Sequence, residues 1–463
     1  MTIAYPSTPP VAAAPSGAPR PRLTFLGTGY LGATYAICFA ELGYEVLGFD
    51  VDEAKIAKLA GGDVPIHEPG LDELLRKNLS AGRLRFTTSW EEVAEFGDVH
   101  FICVGTPQRP DGMAADLSHV ESAVTNLAPL LKRKALIAGK STVPVGTAEW
   151  IEQLVRRHTP AELGVEVAWS PEFLQEGVAV EDVLRPNRII FGVKSEWATG
   201  MLYAAHKGVF DLALTEDREV PVVVTDFATA ELVKVAANAF LATKISFINA
   251  MAEVCEASGA DVTKLADSIG HDDRIGRKFL NSGLGFGGGC LPKDIRAFMA
   301  RAGELGASDA LGFLKEIDQI NMRRRVRMVD LAREVCGGSI IGRRIAVLGA
   351  AFKPNSDDIR DSPALNVAAQ MQLQGASVVV TDPKAIENGL RAWPDITFVP
   401  TAQDAAQGAD VVLLLTEWSD YCELDPAAFG SIVAHRRMLD GRNALDPDAW
   451  RAAGWTYRAL GRP

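Results

Sequence analysis

Residues 284–294 read LGFGGGCLPKD. Four glycines, at 285, 287, 288 and 289, precede Cys290, and Lys293 and Asp294 follow it. Such a run costs conformational entropy, and it makes sense where a backbone must come very close to a ligand. A nearby cation raises the thiolate fraction of a cysteine, and a nearby carboxylate can orient or deprotonate water. The segment therefore has the makings of a nucleophilic thiol, and its chemistry would be covalent catalysis. Cys38, Cys103 and Cys255 lack such a setting and read as small buried hydrophobes. A second polar pair, Lys234 and Asn238, is spaced i, i+4 and shares one helix face. Burying that pair on an Ala-rich helix is expensive without a purpose, but the spacing fits an exposed polar stripe equally well.

A third constellation is Gly27-Thr28-Gly29-Tyr30-Leu31-Gly32, a G-x-G-x-x-G that follows a strand and opens a helix. Gly27 permits the tight turn, Gly29 lets the backbone approach a pyrophosphate, and Gly32 lets helix and strand pack closely. The helix N-terminus then presents free N–H groups to the phosphates. Asp50 ends the second strand 23 residues after Gly27, near the offset of about 20 expected of a ribose-binding acid. An acid there repels a 2′-phosphate, so NAD is expected rather than NADP. Lys55, five residues further on, is placed to reach the adenosine end.

The elements that must position these residues alternate. LTFLG (23–27) is a buried strand; a helix runs from it to Gly43, and Tyr44 to Asp50 form a second strand. Further strands are expected at 99–104, 135–139 and 165–169, so the sheet is parallel and doubly wound. Residues 225–258 contain no Gly or Pro and read as one helix, roughly 50 Å long at about 1.5 Å per residue. Its low charge predicts burial along much of its length, between two domains and against a symmetry mate. From Arg343 the alternation restarts with IAVLGAAF, SVVVTDP and DVVLLL, a second α/β domain over about 340–463.

The bulk composition agrees. The chain has 463 residues, 48% hydrophobic and 23% charged, with a net charge of −12. Length suggests about three domains. The acidic balance argues against nucleic acid and membrane surfaces as partners. Six scattered cysteines without a C-x-x-C pair argue against zinc and thioredoxin-like sites, so no metal is expected. They fit a reducing cytoplasm. No run is expected to span a bilayer. The Pro-, Ala- and Ser-rich start has neither the basic n-region nor the apolar h-region of a secretory signal and reads as a disordered tail.

Taken together, the motifs GTGYLG, VGTP (104–107), KSTVPVGT (140–147), SPEFLQEG (170–177), ELVKVAANAFLATKISF (231–247), RIGRKFLNSGLGFGGGCLPKD (274–294) and FKPNSDDIRDSP (352–363) are specific. The chain resembles the UDP-glucose 6-dehydrogenase family, within the UDP-glucose/GDP-mannose dehydrogenase superfamily, from Leu23 to about Asp446. The resemblance implies two successive NAD-linked oxidations at one carbon, through an aldehyde and a cysteine-bound thioester, to a carboxylate. By position it makes Cys290 the nucleophile. Lys234 and Asn238 steady the oxyanion, and Asp294 holds the hydrolytic water with Thr142 and Glu172 as partners. Gly27, Gly29, Tyr30, Leu31, Gly32, Asp50, Lys55, Thr106, Thr142, Glu172, Lys293 and Arg360 are the implied cofactor contacts. The implied substrate set is Glu172, Phe173, Lys234, Asn238, Phe279, Leu280, Asn281, Ser282, Gly283, Gly287 and Lys353, with Arg274 reaching over from a partner subunit. The fold it implies is α/β: two doubly wound Rossmann-like domains joined by a long central helix and a helical dimerisation region. The division would be a disordered tail over 1–21, an NAD-binding domain over 22–215, a central dimerisation domain over 216–335 and a UDP-sugar-binding domain over 336–463. A homodimer or higher homo-oligomer acting on a nucleotide sugar is expected.

Three other readings compete. A sibling enzyme acting on GDP-mannose or a UDP-N-acetyl-aminosugar would share the thiol mechanism. Tyr203 and Lys207 form the Y-x-x-x-K of short-chain dehydrogenases, but those enzymes have one domain and differently spaced glycines, so chance and helix-surface packing explain the pair. A non-catalytic NAD sensor would have no use for the set Lys234, Asn238, Cys290 and Asp294. The C-terminal LDGRNALD (439–446) only loosely suggests a role for Arg442.

Overall fold

The computed structural model describes residues 20–463, so all but the last two residues of the tail expected over 1–21 lie outside the described part. The chain divides into two compact units, residues 1–236 and 237–463.

The first unit is built on eight strands: β1 (Leu23–Leu26), β2 (Val46–Phe49), β3 (Leu84–Thr87), β4 (Val99–Ile102), β5 (Leu136–Gly139), β6 (Glu166–Trp169), β7 (Ile189–Gly192) and β8 (Val222–Thr225). Their order is β3-β2-β1-β4-β5-β6-β7-β8. The first six are parallel. β1, β2, β4 and β5 are buried at every position, as strands covered on both faces must be. The parallel, doubly wound sheet expected is there over the first six strands, and β7 then meets β6 antiparallel at Trp169 and Gly192. Residues 170–178 form an irregular loop and only the six-residue helix Ala179–Leu184 follows, where a parallel return needs a full crossover. β8 lies past residue 215, and it pairs with β7 in this same sheet.

Helix α1 (Tyr30–Glu41) follows β1, and α2 (Thr147–His158) follows β5. The long helix α3 (Phe227–Ser258) begins two residues after the expected start, because β8 takes up Thr225. Against expectation, α3 is long and apolar enough to cross a membrane by length and composition; 44% of its most apolar window is buried within the protein. Several of its buried polar groups have protein partners. Glu231 accepts from the Gly146 and Ala148 amides at 2.7 and 2.6 Å. Further along, Ser246 donates to the Ile317 carbonyl and Asn249 accepts from the Gly283 amide. That pattern is one of a helix built into a protein interior.

The second unit holds six parallel strands, β9 (Arg344–Leu348), β10 (Ser377–Thr381), β11 (Thr397–Phe398), β12 (Val411–Leu414), β13 (Arg437–Asp440) and β14 (Thr456–Ala459), in the order β11-β10-β9-β12-β13-β14. Helices α4 (Leu291–Glu304), α5 (Gly312–Val335) and α6 (Pro363–Leu373) belong to it. Met328, Val329 and Ala332 of α5 join the core of the second sheet. Tyr203 packs its ring on Phe191 with centroids 5.2 Å apart, and Lys207 pairs with Asp211, so the Y-x-x-x-K is helix packing and a surface ion pair.

Candidate active site

In the first unit the candidate residues follow the carboxyl ends of parallel strands, where ligands bind in doubly wound sheets. Gly27 follows β1, Asp50 follows β2, Thr106 lies beyond β4, Thr142 beyond β5 and Glu172 beyond β6. Gly27 has φ +91°, and a Cβ there would lie 2.9 Å from Val104 Cα. A Cβ on Gly32 would sit 1.8 Å from the Gly27 carbonyl oxygen, so α1 and the turn touch through that glycine. Around Gly29 there is open space within 4 Å. The start of α1 has no side-chain cap and no acid in its first turn, which leaves its N–H groups suited to an anion. These residues fit the pyrophosphate of a dinucleotide.

Asp50 is buried, and its Oδ2 accepts from the Thr28 amide at 2.8 Å and Lys55 Nζ at 2.9 Å. Burial pushes its carboxyl up, but the Lys55 bond and the Asp52 and Thr28 amides outweigh it and hold it below the ordinary range. Lys55 is thus engaged by Asp50. Tyr30 donates to Glu68, which also accepts from the Gly177 and Ala179 amides at 2.6 and 2.7 Å. Leu31 packs on the apolar core beneath. Thr106 Oγ1 donates to the Thr142 carbonyl at 2.8 Å.

Glu172 is buried, and its Oε1 accepts from the Phe173 and Leu174 amides at 2.6 and 2.5 Å. Burial pushes its carboxyl up to about 7, opposed by the Lys234 ammonium and those amides. Phe173 lies under two cations, Arg188 at 3.9 Å and Lys234 at 5.2 Å from its ring centroid. Lys234 itself is buried. For Lys234 and Asn238 the open choice between site and solvent stripe therefore closes in favour of burial, since Asn238 is only 6% exposed.

Cys290, in the second unit, is the one exposed cysteine of the six, all of which lie among the described residues. It is the N-cap of α4, and the Asp294 amide donates to its carbonyl at 2.9 Å. Asp294 is buried, with Asn238 Nδ2 on Oδ2 and Lys293 Nζ on Oδ1, both at 2.6 Å. So Cys290, Asp294, Asn238 and Lys293 form one connected group. A helix N-terminus favours negative charge on a group at its first turn.

The glycine run also has a cause within the protein itself. A Cβ at Gly285 would lie 2.1 Å from Asn321 Oδ1, and one at Gly289 would lie 2.3 Å from the Arg360 guanidinium carbon. The backbone is close to protein side chains here. Asn321, on α5, accepts from the Phe286 amide at 2.7 Å and donates to its carbonyl at 3.0 Å. Arg325, one turn on and buried, binds Asp361 at 2.9 Å. Gly287 faces the Asp361 carbonyl, 2.5 Å from where its Cβ would be. Arg442, set aside in the sequence, is a knot: it donates to the carbonyls of Leu415 at 2.7 Å, Phe352 at 3.0 Å and Gly285 at 3.3 Å. No spacing pattern links Asn321, Arg325 or Arg442 to Cys290; only the Arg-rich run 323–327 hinted at buried charge.

Of the other candidates, Phe279 has φ +64° and Leu280 is buried. Asn281 Oδ1 accepts from Arg277 at 2.8 Å, Ser282 Oγ from Asn443 at 3.0 Å, and the Gly283 amide is held by Asn249. Lys353 Nζ sits 5.5 Å from the Phe352 ring centroid, and Arg360 pairs with Asp358. Arg274 is exposed, paired with Asp272. No group of His, Cys, Asp and Glu suited to a metal occurs among the described residues.

Comparison with known proteins adds a family to this geometry. Residues 21–209 match the NAD binding domain, 228–323 the central domain and 346–447 the UDP binding domain of the UDP-glucose/GDP-mannose dehydrogenase family. The chain is 39% identical to UDP-glucose 6-dehydrogenase TuaD of Bacillus subtilis, covering 96% of this chain and 93% of that one. It is 40% identical to UDP-glucose 6-dehydrogenase of Rhizobium meliloti, covering 96% and 100%. A solved UDP-glucose dehydrogenase from Pyrobaculum islandicum superposes with a TM-score of 0.88 at 37% identity, covering 97% and 99%. A UDP-D-ManNAc dehydrogenase from Pyrococcus horikoshii gives 0.83 at 28% identity, covering 95% and 99%. With its parallel sheets, its NAD binding domain and this full-length likeness, the chain belongs to the UDP-glucose/GDP-mannose dehydrogenase family.

Proposed function

We propose that this protein oxidises UDP-glucose to UDP-glucuronate with two NAD. The observation that carries the thiol chemistry is the exposed Cys290 at the start of α4, with buried Asp294 one turn on, held by Asn238 and Lys293. The substrate assignment is supported by the 39–40% identity to UDP-glucose 6-dehydrogenases, against 28% to the amino-sugar enzyme. NAD, when bound at the Gly27–Gly32 turn and Asp50, supplies the hydride acceptor.

In this reading the alcohol carbon gives up a hydride to NAD and its hydroxyl oxygen gives up a proton, leaving an aldehyde. The Cys290 sulfur adds to it, and Lys234 and Asn238 steady the oxyanion. A second hydride leaves, giving a thioester. Water held by Asp294, with Thr142 and Glu172, attacks the thioester, the carbon–sulfur bond breaks, and the carboxylate is released. Lys293 and Arg360 serve the cofactor, and Phe279–Gly283, Gly287 and Lys353 the sugar nucleotide. The tripartite division, with its UDP-sugar domain over 336–463, is part of the same proposal.

The assembly proposed is a homodimer in the cytoplasm. Phe240, Phe247 and Val254 are spaced by seven on α3 and are 67%, 47% and 57% exposed, an apolar stripe suited to a two-fold mate. Arg274, with its exposed side chain, would reach the partner's site. The six free thiols suit a reducing compartment. Two NADH per UDP-glucose, with little or no turnover of GDP-mannose and UDP-N-acetyl-mannosamine, is the expected result. One NADH per sugar, or preference for an amino-sugar substrate, would refute it. A fully active monomer in sedimentation would refute the assembly.

A further inference from the structure

Lys140 directly follows β5, and its side chain is 2% exposed. A buried ammonium needs a partner. Among the described residues its ion-pair partner is Glu172, whose Oε2 lies 3.9 Å from Nζ. The rest of its surroundings offer only weak contacts: the Ser170 carbonyl at 3.4 Å, the Tyr35 ring at 4.3 Å and the Phe101 ring at 5.4 Å. The other titratable groups facing Lys140 are Cys103 and His206. Burial pushes the Cys103 thiol up to about 12 and His206 down to about 3, so both stay neutral and neither supplies an anion.

Glu172 has two unlike oxygens. Oε1 is taken by the Phe173 and Leu174 amides, and Oε2 is the one turned to Lys140. The other charged groups facing Glu172 are Lys234, Arg188 and Asp182. A carboxylate held at one oxygen by two backbone amides and facing a buried cation with the other is kept in one orientation.

We propose that Lys140 is a positioning residue that keeps Glu172 ionised and its Oε2 fixed, so that Glu172 takes the proton of the hydrolytic water. This rests on the role given to Glu172 above. The proton passes from water to Oε2, the water oxygen bonds to the thioester carbon, and sulfur leaves as thiolate. Burial drives Glu172 towards the neutral form, opposed by the Lys234 ammonium and the two amides, and Lys140 adds a second cation 3.9 Å from Oε2.

The test is the pH dependence of kcat in Lys140→Met, Glu172→Gln and the double variant. Lys140→Met should move the acidic limb of the profile at least about one pH unit upward, lowering kcat near pH 7 at least about fivefold. KM for NAD should stay within about twofold. Adding Lys140→Met to Glu172→Gln should cost little further kcat, because both act through one carboxylate. A Lys140→Met profile that keeps its acidic limb in place, or losses that multiply in the double variant, would overturn the proposal. If Lys140→Met does not fold alone, the double variant decides. Folding with the kcat of Glu172→Gln supports the pairing, and failure to fold makes Lys140 a residue of the fold only. If Glu172→Gln turns over at the parent rate, the reading of Glu172 itself fails.

Discussion

The two sheets carry the same turn and use it differently. After β1, Gly27 has φ +91°; after β9, Gly349 has φ +109°. Each presses on the chain just beyond the neighbouring strand, Gly27 on Val104 and Gly349 on Thr416. Each turn is read by an aspartate ending the next strand, Asp50 after β2 and Asp382 after β10. Asp50 takes backbone donors from Thr28 and Asp52 and one cation, Lys55. Asp382, at 1% exposure, is filled by the amides of Ala350, Ala351, Lys384 and Ala385 and the Trp418 indole. The first turn enters its helix at Tyr30; the second makes an excursion over 350–362 before α6 begins at Pro363. That excursion carries Phe352, Arg360 and Asp361 to the glycines before Cys290. One strand–turn–acid design thus suits a ligand when left open, and braces the glycine segment before Cys290 when its acid is saturated by its own chain.

Substitutions should sort by turn. The largest effect is expected at the thiol that the second turn supports: Cys290→Ser should cut steady turnover by at least ~10³-fold, while NAD binding by titration calorimetry stays unchanged. Asp294→Asn should lose on the order of 10²–10⁴-fold and accumulate a sugar-nucleotide adduct on Cys290, visible by mass spectrometry after a burst of NADH. Next come the two aspartates. Asp50→Asn should raise KM for NAD about tenfold, the scale of one hydrogen bond to a charged group, and narrow the preference over NADP. Asp382→Asn should leave KM for NAD within about twofold and cost about 2 kcal/mol of stability, read by denaturant unfolding. A cofactor effect at Asp382 without a stability effect would erase the distinction between the turns. Smallest is Lys55→Met: its pair with Asp50 is partly exposed, so about 0.5 kcal/mol of NAD affinity is expected.

What was legible in the sequence was local. Apolar runs placed β1, β2, β4, β5, β6, β9, β10 and β12, because a parallel strand buried on both faces must be largely apolar. β3 is interrupted by exposed Arg85 and lacks that signature; β8, VVVT, has it although Val223 and Val224 are exposed, and both strands lie at sheet edges. The glycine run before Cys290 was visible, but the side chains that press on it were not. Asn321 and Arg442 reach it from 36 and more than 150 residues away, and contacts of that range leave no period in the chain. Lys140 was equally silent, since a lysine at a strand end reads as solvent-exposed until its burial is seen.

Glu231 has a consequence for observing the protein at work. Its carboxylate holds the Gly146 and Ala148 amides, and Lys234 lies three residues further along the same helix. Those two protons are bonded to a side chain and not to a strand or a preceding turn, so they exchange with solvent only when the contact between α3 and the start of α2 opens. Their exchange rates are a built-in gauge of how tightly the segment bearing Thr142 stays registered with the helix bearing Lys234, readable residue by residue without touching either group.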